Sequence, residues 1–457
     1  MTAIAGFKAY DLRGRIPSEL NEDVAYRVGR GYAAFLNPRR VCVGRDIRLS
    51  SAELAAALIR GLTDAGVDVV DIGLCGTEGV YFATSHLDLD GGIMVTASHN
   101  PPDYNGMKFV REGSRPISGD TGLKEIKALA EAASAVPVAK RGTVEEKDTT
   151  DDYVRHLLTY VELAKLKPLT IVTNAGNGGA GRFLDALEPH LPLRFVKLWN
   201  DADGHFPNGV PNPMLVENRA PVIEAVRRER ADLGIAWDGD FDRCFFFDEA
   251  GTFIDGYYIV GLLASVFLGR EPGARIVHDP RVVWNTLDIV HSLGGQAVVC
   301  KSGHAFIKAR MREVDAVYGG EMSAHHYFRP FAYCDSGMIP WLVMAQVLAD
   351  TGKPLSALVG ERMRLFPSSG EINSRIPDVP GAIRVIEERY AAKARSVDYT
   401  DGLSLEFDAW RVNLRGSNTE PLIRLNLESR GDADLMREKT AEVLAVLTSL
   451  GAVPADH

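Results

Sequence analysis

Three stretches of this 457-residue chain share one pattern, in which an apolar run of β type enters a polar or glycine-containing turn and then a segment of helical period. They are residues 40–62, 169–191 and 275–293, and each is followed by a further short apolar run, at 67–70, 193–198 and 296–300. Repeated strand, helix and strand predict β-α-β units in layered domains, since each apolar face needs a partner layer to bury it. The part from about residue 368 reads differently. Alternating segments at 403–407 and 422–427, bracketed by helical stretches at 381–394 and 434–450, predict a small α+β domain. Boundaries are expected at the charged stretch 143–152, the turn Asp248-Glu249-Ala250-Gly251 and the punctuation Pro367-Ser368-Ser369-Gly370. The expectation is α/β architecture in four domains: 1–150, 151–252, 253–367 and 368–457. Each is long enough to bury its own core.

Charge narrows the functional classes. With 51 basic and 61 acidic residues the formal charge is -10, which argues against nucleic acid or an anionic membrane as the main partner. An anionic ligand would need a local basic pocket. The five cysteines are widely spaced with no C-x-x-C pair, as expected of reduced thiols rather than a disulfide framework or a structural zinc site. Residues 1–14 lack a signal-peptide pattern, and apolar runs such as 257–268 fall short of the roughly 18 residues of a membrane span. A cytoplasmic location is the expectation.

Several motifs carry chemistry. Thr96-Ala97-Ser98-His99-Asn100-Pro101-Pro102 places a hydroxyl in a turn directly after the apolar run Gly92-Ile93-Met94-Val95. Serine is a weak nucleophile without a metal or cationic neighbours. Asp238-Gly239-Asp240-Phe241-Asp242-Arg243 sets three carboxylates at alternate positions after another apolar run. They repel one another unless a cation sits among them, and hard oxygen ligands suit Mg²⁺ or Ca²⁺. An EF-hand loop is one rival, because Glu249 falls at the twelfth position, but Arg243 stands where that loop needs glycine. A plain acidic turn is another.

Gly176-Asn177-Gly178-Gly179-Ala180-Gly181 matches a dinucleotide-binding turn with Asp201 twenty residues on, and equally suits a tight connection. Arg415-Gly416-Ser417-Asn418-Thr419-Glu420-Pro421, followed by Arg424, combines guanidinium groups and hydroxyls as a phosphate cradle does, or forms an ordinary hairpin loop. Gly320-Glu321-Met322-Ser323-Ala324-His325 offers a carboxylate, a hydroxyl and an imidazole for a sugar ring, with His304 upstream able to move a proton near neutral pH.

Taken in order, residues 10–14 (Tyr-Asp-Leu-Arg-Gly), 96–101, 105–108 (Asn-Gly-Met-Lys), 238–243, 320–325 and 415–421 resemble, over nearly the whole chain, the α-D-phosphohexomutases, and among them the bacterial phosphomannomutases. The resemblance implies four domains around a central cleft, each contributing one loop. It implies that Ser98 is the phosphoserine, with His99 beside it, and that Asp238, Asp240 and Asp242 join the serine phosphate in binding Mg²⁺. It further implies that Glu321 and Ser323 hold sugar hydroxyls, that Arg415, Ser417, Asn418 and Thr419 hold the non-reacting phosphate, and that Arg13, Lys108, Arg243 and His304 neutralise charge or shuttle protons. Tyr10, Arg281, His325 and Arg424 complete the implied substrate-binding set.

The implied reaction interconverts mannose 6-phosphate and mannose 1-phosphate through a 1,6-bisphosphate and feeds GDP-mannose and surface polysaccharide synthesis. A hexose 1,6-bisphosphate is the implied activator, and a monomer or weak homo-oligomer the implied assembly. Phosphoglucomutase activity, alone or alongside, is the nearest alternative; a Mg²⁺-dependent phosphatase, a phosphoglucosamine mutase and a non-catalytic sugar-phosphate binder stand further off. Two positions depart from the usual pattern: Gly76-Thr77-Glu78 replaces a Pro-Thr-Pro turn, and Arg281 replaces a lysine. Met322 and Ser417-Asn418 depart from the glucosamine-type pattern, which has glutamine at the first and Ser-Gly at the second.

Overall fold

Val41, Val43, Val69, Ile93 and Val95 project from neighbouring strands onto one face, where they pack with Val24, Val28, Tyr32, Leu54, Leu58 and Ile126 of three helices. The alternate residue Cys42 points the other way and lies against Val80 and Thr84 of the helix Thr77–His86. Both faces of the sheet's centre are covered, so its central strands Arg40–Arg45 and Gly91–Val95 are buried almost throughout. In the computed structural model, residues 3–132, 140–417 and 422–455 are described. They divide into two compact units, Met1–Gly251 with Pro330–Thr351, and Thr252–Arg329 with Gly352–His457.

The first unit holds two sheets. In the first, strands run in the order Leu12–Arg15, Tyr104–Arg111, Gly91–Val95, Arg40–Arg45, Asp68–Leu74 and Val144–Glu146. Arg40–Arg45 is parallel to both of its neighbours, while Tyr104–Arg111 is antiparallel to Gly91–Val95 and Leu12–Arg15. That antiparallel return puts Lys108 opposite Met94. The second sheet runs Cys244–Phe247, Leu233–Trp237, Thr170–Asn174 and Arg194–Leu198, with the last three strands parallel. In the second unit Arg275–His278 is parallel to Gln296–Val299 and Tyr318–Gly320, and Trp284–Ser292 is the connecting helix. All three expected strand, helix and strand units therefore form.

The last region also forms as expected. Strands Ser396–Asp398, Leu403–Glu406, Trp410–Gly416, Leu422–Ser429, Ser368–Arg375 and Val453–Pro454 make an antiparallel sheet. Helices Val379–Tyr390 and Ala433–Ser449 cover its core around Leu405, Val412, Leu414, Leu425 and Leu427. The five cysteines are buried and lie in no disulfide among the described residues. Among the described residues, no helix is long and apolar enough to cross a membrane.

The departure at Gly76-Thr77-Glu78 does structural work in the first unit. Glu78 is fully buried; its carboxyl accepts from the Tyr153 hydroxyl at 2.5 Å and from the Gly337 N–H at 2.8 Å. It thus ties the helix Thr77–His86 to the helix Thr150–Leu158 and to the segment preceding Met338–Thr351. Burial raises its pKa from 4.5 to about 8, against the lowering effect of hydrogen bonds from Ser336, Tyr153 and the backbone. A carboxyl whose folded pKa is raised contributes stability that is full below its unfolded value and is lost as pH rises through the folded value. Glu78→Gln is expected to flatten this loss. Between pH 4.5 and about 8 the melting temperature of the parent should fall relative to that of the variant, followed by thermal circular dichroism across that range.

Candidate active site

The predicted site residues that fall among the described residues divide between the two units. In the first unit Ser98 sits in the turn joining Gly91–Val95 to Tyr104–Arg111, with a φ of 50°. A non-glycine residue in the left-handed region is held there by its surroundings. Here the Thr96 hydroxyl accepts from Ser98 N at 2.9 Å and donates to Asp46 Oδ2 at 2.7 Å. Arg48 gathers the turn from beneath. Its guanidinium donates to the carbonyls of Ser98 at 2.9 Å, Asn100 at 2.6 Å, Pro101 at 2.7 Å and Tyr104 at 3.0 Å. Arg48 also lies 3.4 Å from Asp46, and both side chains are buried.

The Asp238–Asp242 turn closes on Ser98 from the second sheet. Gly239 permits the approach, because a Cβ there would lie 2.5 Å from the Ser98 carbonyl oxygen. The Ser98 hydroxyl donates to Asp238 Oδ2 at 2.9 Å and contacts His99 Nδ1 at 3.1 Å. Arg243 donates from Nε to Asp238 Oδ2 at 2.9 Å and reaches Ser98 Oγ at 3.5 Å. It also bonds His99 Nδ1. Burial and the charges of Arg243 and Arg13 push the His99 imidazole well below its ordinary pKa, so it is neutral at pH 7 and accepts from Arg243.

Lys108 Nζ lies 2.7 Å from Asp240 Oδ2 and 2.6 Å from Asp242 Oδ2. Burial alone would lower its pKa; the two carboxylates outweigh burial and raise it. Asp240 shows the reciprocal effect, since burial would raise it and Lys108 holds it well below the usual carboxylate range. Thr77 bonds the same Asp240 oxygen and donates its backbone N–H to the Asp240 carbonyl at 3.2 Å. Arg13 is anchored by Asp11 at 2.8 Å and bonds the Asn100 side chain and the Ala97 carbonyl of the serine turn. Tyr10 precedes the strand Leu12–Arg15 and is half-buried.

Asp238, Asp240 and Asp242 each offer an oxygen within 4.8 Å of the other two. Asp240 Oδ1 is buried and has no hydrogen-bond partner among the described residues. A buried acceptor left open in a carboxylate cluster beside a serine hydroxyl fits a hard divalent cation such as Mg²⁺. Strands, not helices, flank the turn, which removes the EF-hand reading. The glycine-rich turn at 176–181 packs against this loop and its neighbours: Gly179 N donates to the Gly239 carbonyl at 3.4 Å, and a Cβ on Gly176 would lie 2.4 Å from Pro211. It serves as a tight connection behind the carboxylates, not as a dinucleotide site.

In the second unit Glu321 is buried; it accepts from Gly303 N at 2.9 Å and from the Tyr327 hydroxyl. Each carboxylate oxygen has two lone pairs, so capacity for a sugar hydroxyl remains. Arg281 donates to Ser323 Oγ at 3.1 Å and to Asp279 Oδ2 at 2.8 Å, and lies 3.6 Å from Glu321. His304 begins the helix His304–Val314, and its ring centroid lies 6.4 Å from that of His325. Arg415 and Arg424 face each other across paired strands. Ser417 N donates to the Leu422 carbonyl at 2.8 Å. Asn418 and Thr419 lie outside the described residues. Asp46, Arg48 and Glu371 escaped the sequence reading, and Thr77 appeared there only within the departing turn Gly76-Thr77-Glu78, not as a site residue; Asp46-Ile47-Arg48, directly after an apolar strand, offered a local hint.

With this geometry in hand, the comparisons identify the family. The phosphoglucomutase/phosphomannomutase models match in order: α/β/α domain I over residues 5–136, domain II over 151–251, domain III over 255–366 and the C-terminal domain over 371–445. The chain belongs to the phosphoglucomutase/phosphomannomutase family. It is 57% identical over 456 residues to a phosphomannomutase of Salmonella montevideo, covering 98% of this chain and 100% of that one. It is 56% identical over 446 residues to the phosphohexose mutases of Xanthomonas campestris pv. campestris strain B100, covering 97% and 99%. The crystal structure of a phosphoglucomutase/phosphomannomutase family protein from Burkholderia thailandensis superposes with a TM-score of 0.89 at 33% identity, covering 100% of this chain and 99% of that one.

Arg48→Leu is expected to destabilise the protein by about 3–5 kcal/mol, because Asp46 loses its buried charge partner and four carbonyls lose a donor. Urea unfolding followed by circular dichroism measures the loss.

Proposed function

We propose that this chain is a phosphomannomutase that interconverts mannose 6-phosphate and mannose 1-phosphate through a phosphorylated Ser98. The observation that carries the reading is the Ser98 hydroxyl 2.9 Å from Asp238, within a buried triad of aspartates that Lys108 and Arg243 partly neutralise. The phosphomannomutase names of full-length relatives at over half identity support the substrate.

In the forward direction the phosphoryl group passes from Ser98 Oγ to the C1 hydroxyl oxygen of mannose 6-phosphate. The P–O bond to serine breaks, the P–O bond to C1 forms, and the proton leaving the sugar hydroxyl balances the one gained at the serine oxygen. The 1,6-bisphosphate then turns over, and its 6-phosphoryl returns to Ser98, leaving mannose 1-phosphate. Transfer of this kind is driven mainly by positioning and by neutralising charge on the phosphoryl oxygens. Asp238, Asp240, Asp242 and the serine oxygen would hold Mg²⁺, which supplies Lewis-acid stabilisation of that charge. Lys108, Arg243 and Arg13 add fixed cations on the same side of the chemistry, and neutral His99 leaves Arg243 its full charge. Glu321 and Ser323 bind sugar hydroxyls, and Arg415, Ser417 and Arg424 bind the phosphate that is not being transferred. Mannose and glucose differ only at C2, so phosphoglucomutase activity, alone or alongside, is the nearest alternative reading.

The test compares conversion of mannose 1-phosphate and glucose 1-phosphate, with Mg²⁺ and a trace of hexose 1,6-bisphosphate, by the parent and by Ser98→Ala. The parent should convert mannose 1-phosphate, and conversion of glucose 1-phosphate alongside it would mark the second activity. The variant should lose at least about a thousandfold in turnover, and chelating the metal should silence the parent until Mg²⁺ is restored. Release of free phosphate by both proteins would instead identify a phosphatase.

A further inference from the structure

Arg415 and Arg424 stand directly opposite each other on the antiparallel strands Trp410–Gly416 and Leu422–Ser429. Like charges at paired positions repel, and nothing about the sheet itself holds the two guanidiniums together. The counter-charge comes from the neighbouring strand Ser368–Arg375, where the register shifts between Ser368 and Glu371 and Gly370 takes a φ of 67°. A bulge of this kind re-aims the side chain beyond it. Ser369 Oγ accepts from Leu427 N at 2.9 Å, and Asn426 donates to the Gly370 carbonyl at 3.1 Å, so the bulge is bonded in place.

Glu371, which follows the bulge, has a side chain only 5% exposed and lies 2.8 Å from Arg415 Nη2, 3.0 Å from Arg424 Nη1 and 3.4 Å from Arg281 Nη1. Burial would raise its pKa, but Arg415, Arg281 and Arg424 outweigh burial and hold it well below the carboxylate range, so it is ionised at any pH of interest. The Nε atoms of Arg415 and Arg424 are buried and have no hydrogen-bond partner among the described residues. Buried donors without acceptors are costly, and an anion relieves them. Arg281 in turn bonds Ser323 and approaches Glu321, so a chain of contacts runs from the sugar-gripping loop through Arg281 and Glu371 to the two facing arginines.

We propose that Glu371 is a positioning residue for substrate binding: it holds Arg415 and Arg424 together with their open donors available to a phosphate, and through Arg281 keeps that pair in register with Glu321 and Ser323. The inference rests on the reading that Arg415 and Arg424 bind the non-reacting phosphate of the substrate. The partners of Glu371 are Arg281, Arg415 and Arg424, which the reading assigns to substrate binding, so its effect belongs to substrate affinity and not to the chemical step.

The test measures KM and kcat for mannose 1-phosphate, and calorimetric affinity for mannose 6-phosphate, in the parent, Glu371→Gln, Glu371→Asp and Arg415→Ala, with thermal melts of each. Removing the charge should raise KM and weaken binding at least about tenfold, while kcat stays within about threefold, the pattern of lost uniform binding. Glu371→Asp keeps the charge and should recover most of the affinity; it also carries the test if Glu371→Gln does not fold. An unchanged or tighter affinity in Glu371→Gln, alongside weakened binding in Arg415→Ala, overturns the role of Glu371 and leaves the arginine reading standing. A fall in kcat with KM unchanged overturns it as well. If Arg415→Ala binds as the parent does, the arginine reading itself fails and the inference falls with it.

Discussion

Three carboxylates, Asp238, Asp240 and Asp242, are buried to 2% exposure or less within one turn, and the first unit is organised around that concentration of negative charge. Unpaired, such a cluster would be driven to protonate, because burial disfavours the ionised form by several kcal/mol per group. The cations that prevent this come from elsewhere in the chain. Lys108 arrives on an antiparallel strand of the first sheet, and Arg243 follows directly after the third aspartate. Thr77 adds a hydroxyl and a backbone bond to Asp240. Asp240 Oδ1 stays open, which is where the protein's own cations stop and a metal would begin.

The serine turn depends on that arrangement from the other side. Ser98 adopts a left-handed conformation that a side chain rarely takes unaided, and Arg48 binds four carbonyls of the turn to hold it. Asp46 orients Arg48 and at the same time fixes Thr96, so one buried ion pair controls both ends of the turn. In the proposed mechanism a serine prearranged this way needs no separate general base. Its neighbour His99 is kept neutral by burial and by the adjacent guanidiniums, and serves as an acceptor for Arg243.

The second unit solves a related problem with the signs reversed. There the cations, Arg281, Arg415 and Arg424, are concentrated, and Glu371 supplies the fixed counter-charge. Buried ion networks contribute little net stability, but they specify geometry, because each misplaced member leaves an uncompensated charge. In both units the residues proposed to act on a substrate are therefore held by residues that need not touch it.

Much of this was legible without a structure. The strand, helix and strand periodicity is local, so all three β-α-β units and the closing α+β region could be read directly, as could motifs whose members lie within a few positions of one another, such as Asp238 to Arg243. Asp46, Arg48, Thr77 and Glu371 were not legible, because each acts on residues far away in sequence: Arg48 on the turn 50 residues later, Thr77 on an aspartate 163 residues later, Glu371 on Arg281 90 residues earlier. Likewise, composition could not say whether the glycine-rich turn at 176–181 held a cofactor; the contacts of Gly176 and Gly179 with Pro211 and Gly239 decided it. The sequence by itself determined which chemical groups this protein carries and the kind of element that bears each of them, since periodicity and turn chemistry are properties of neighbouring residues. Only the tertiary structure decided which charges meet, because pairing in a low-dielectric interior is set by distances of a few ångströms between segments that the chain order keeps apart.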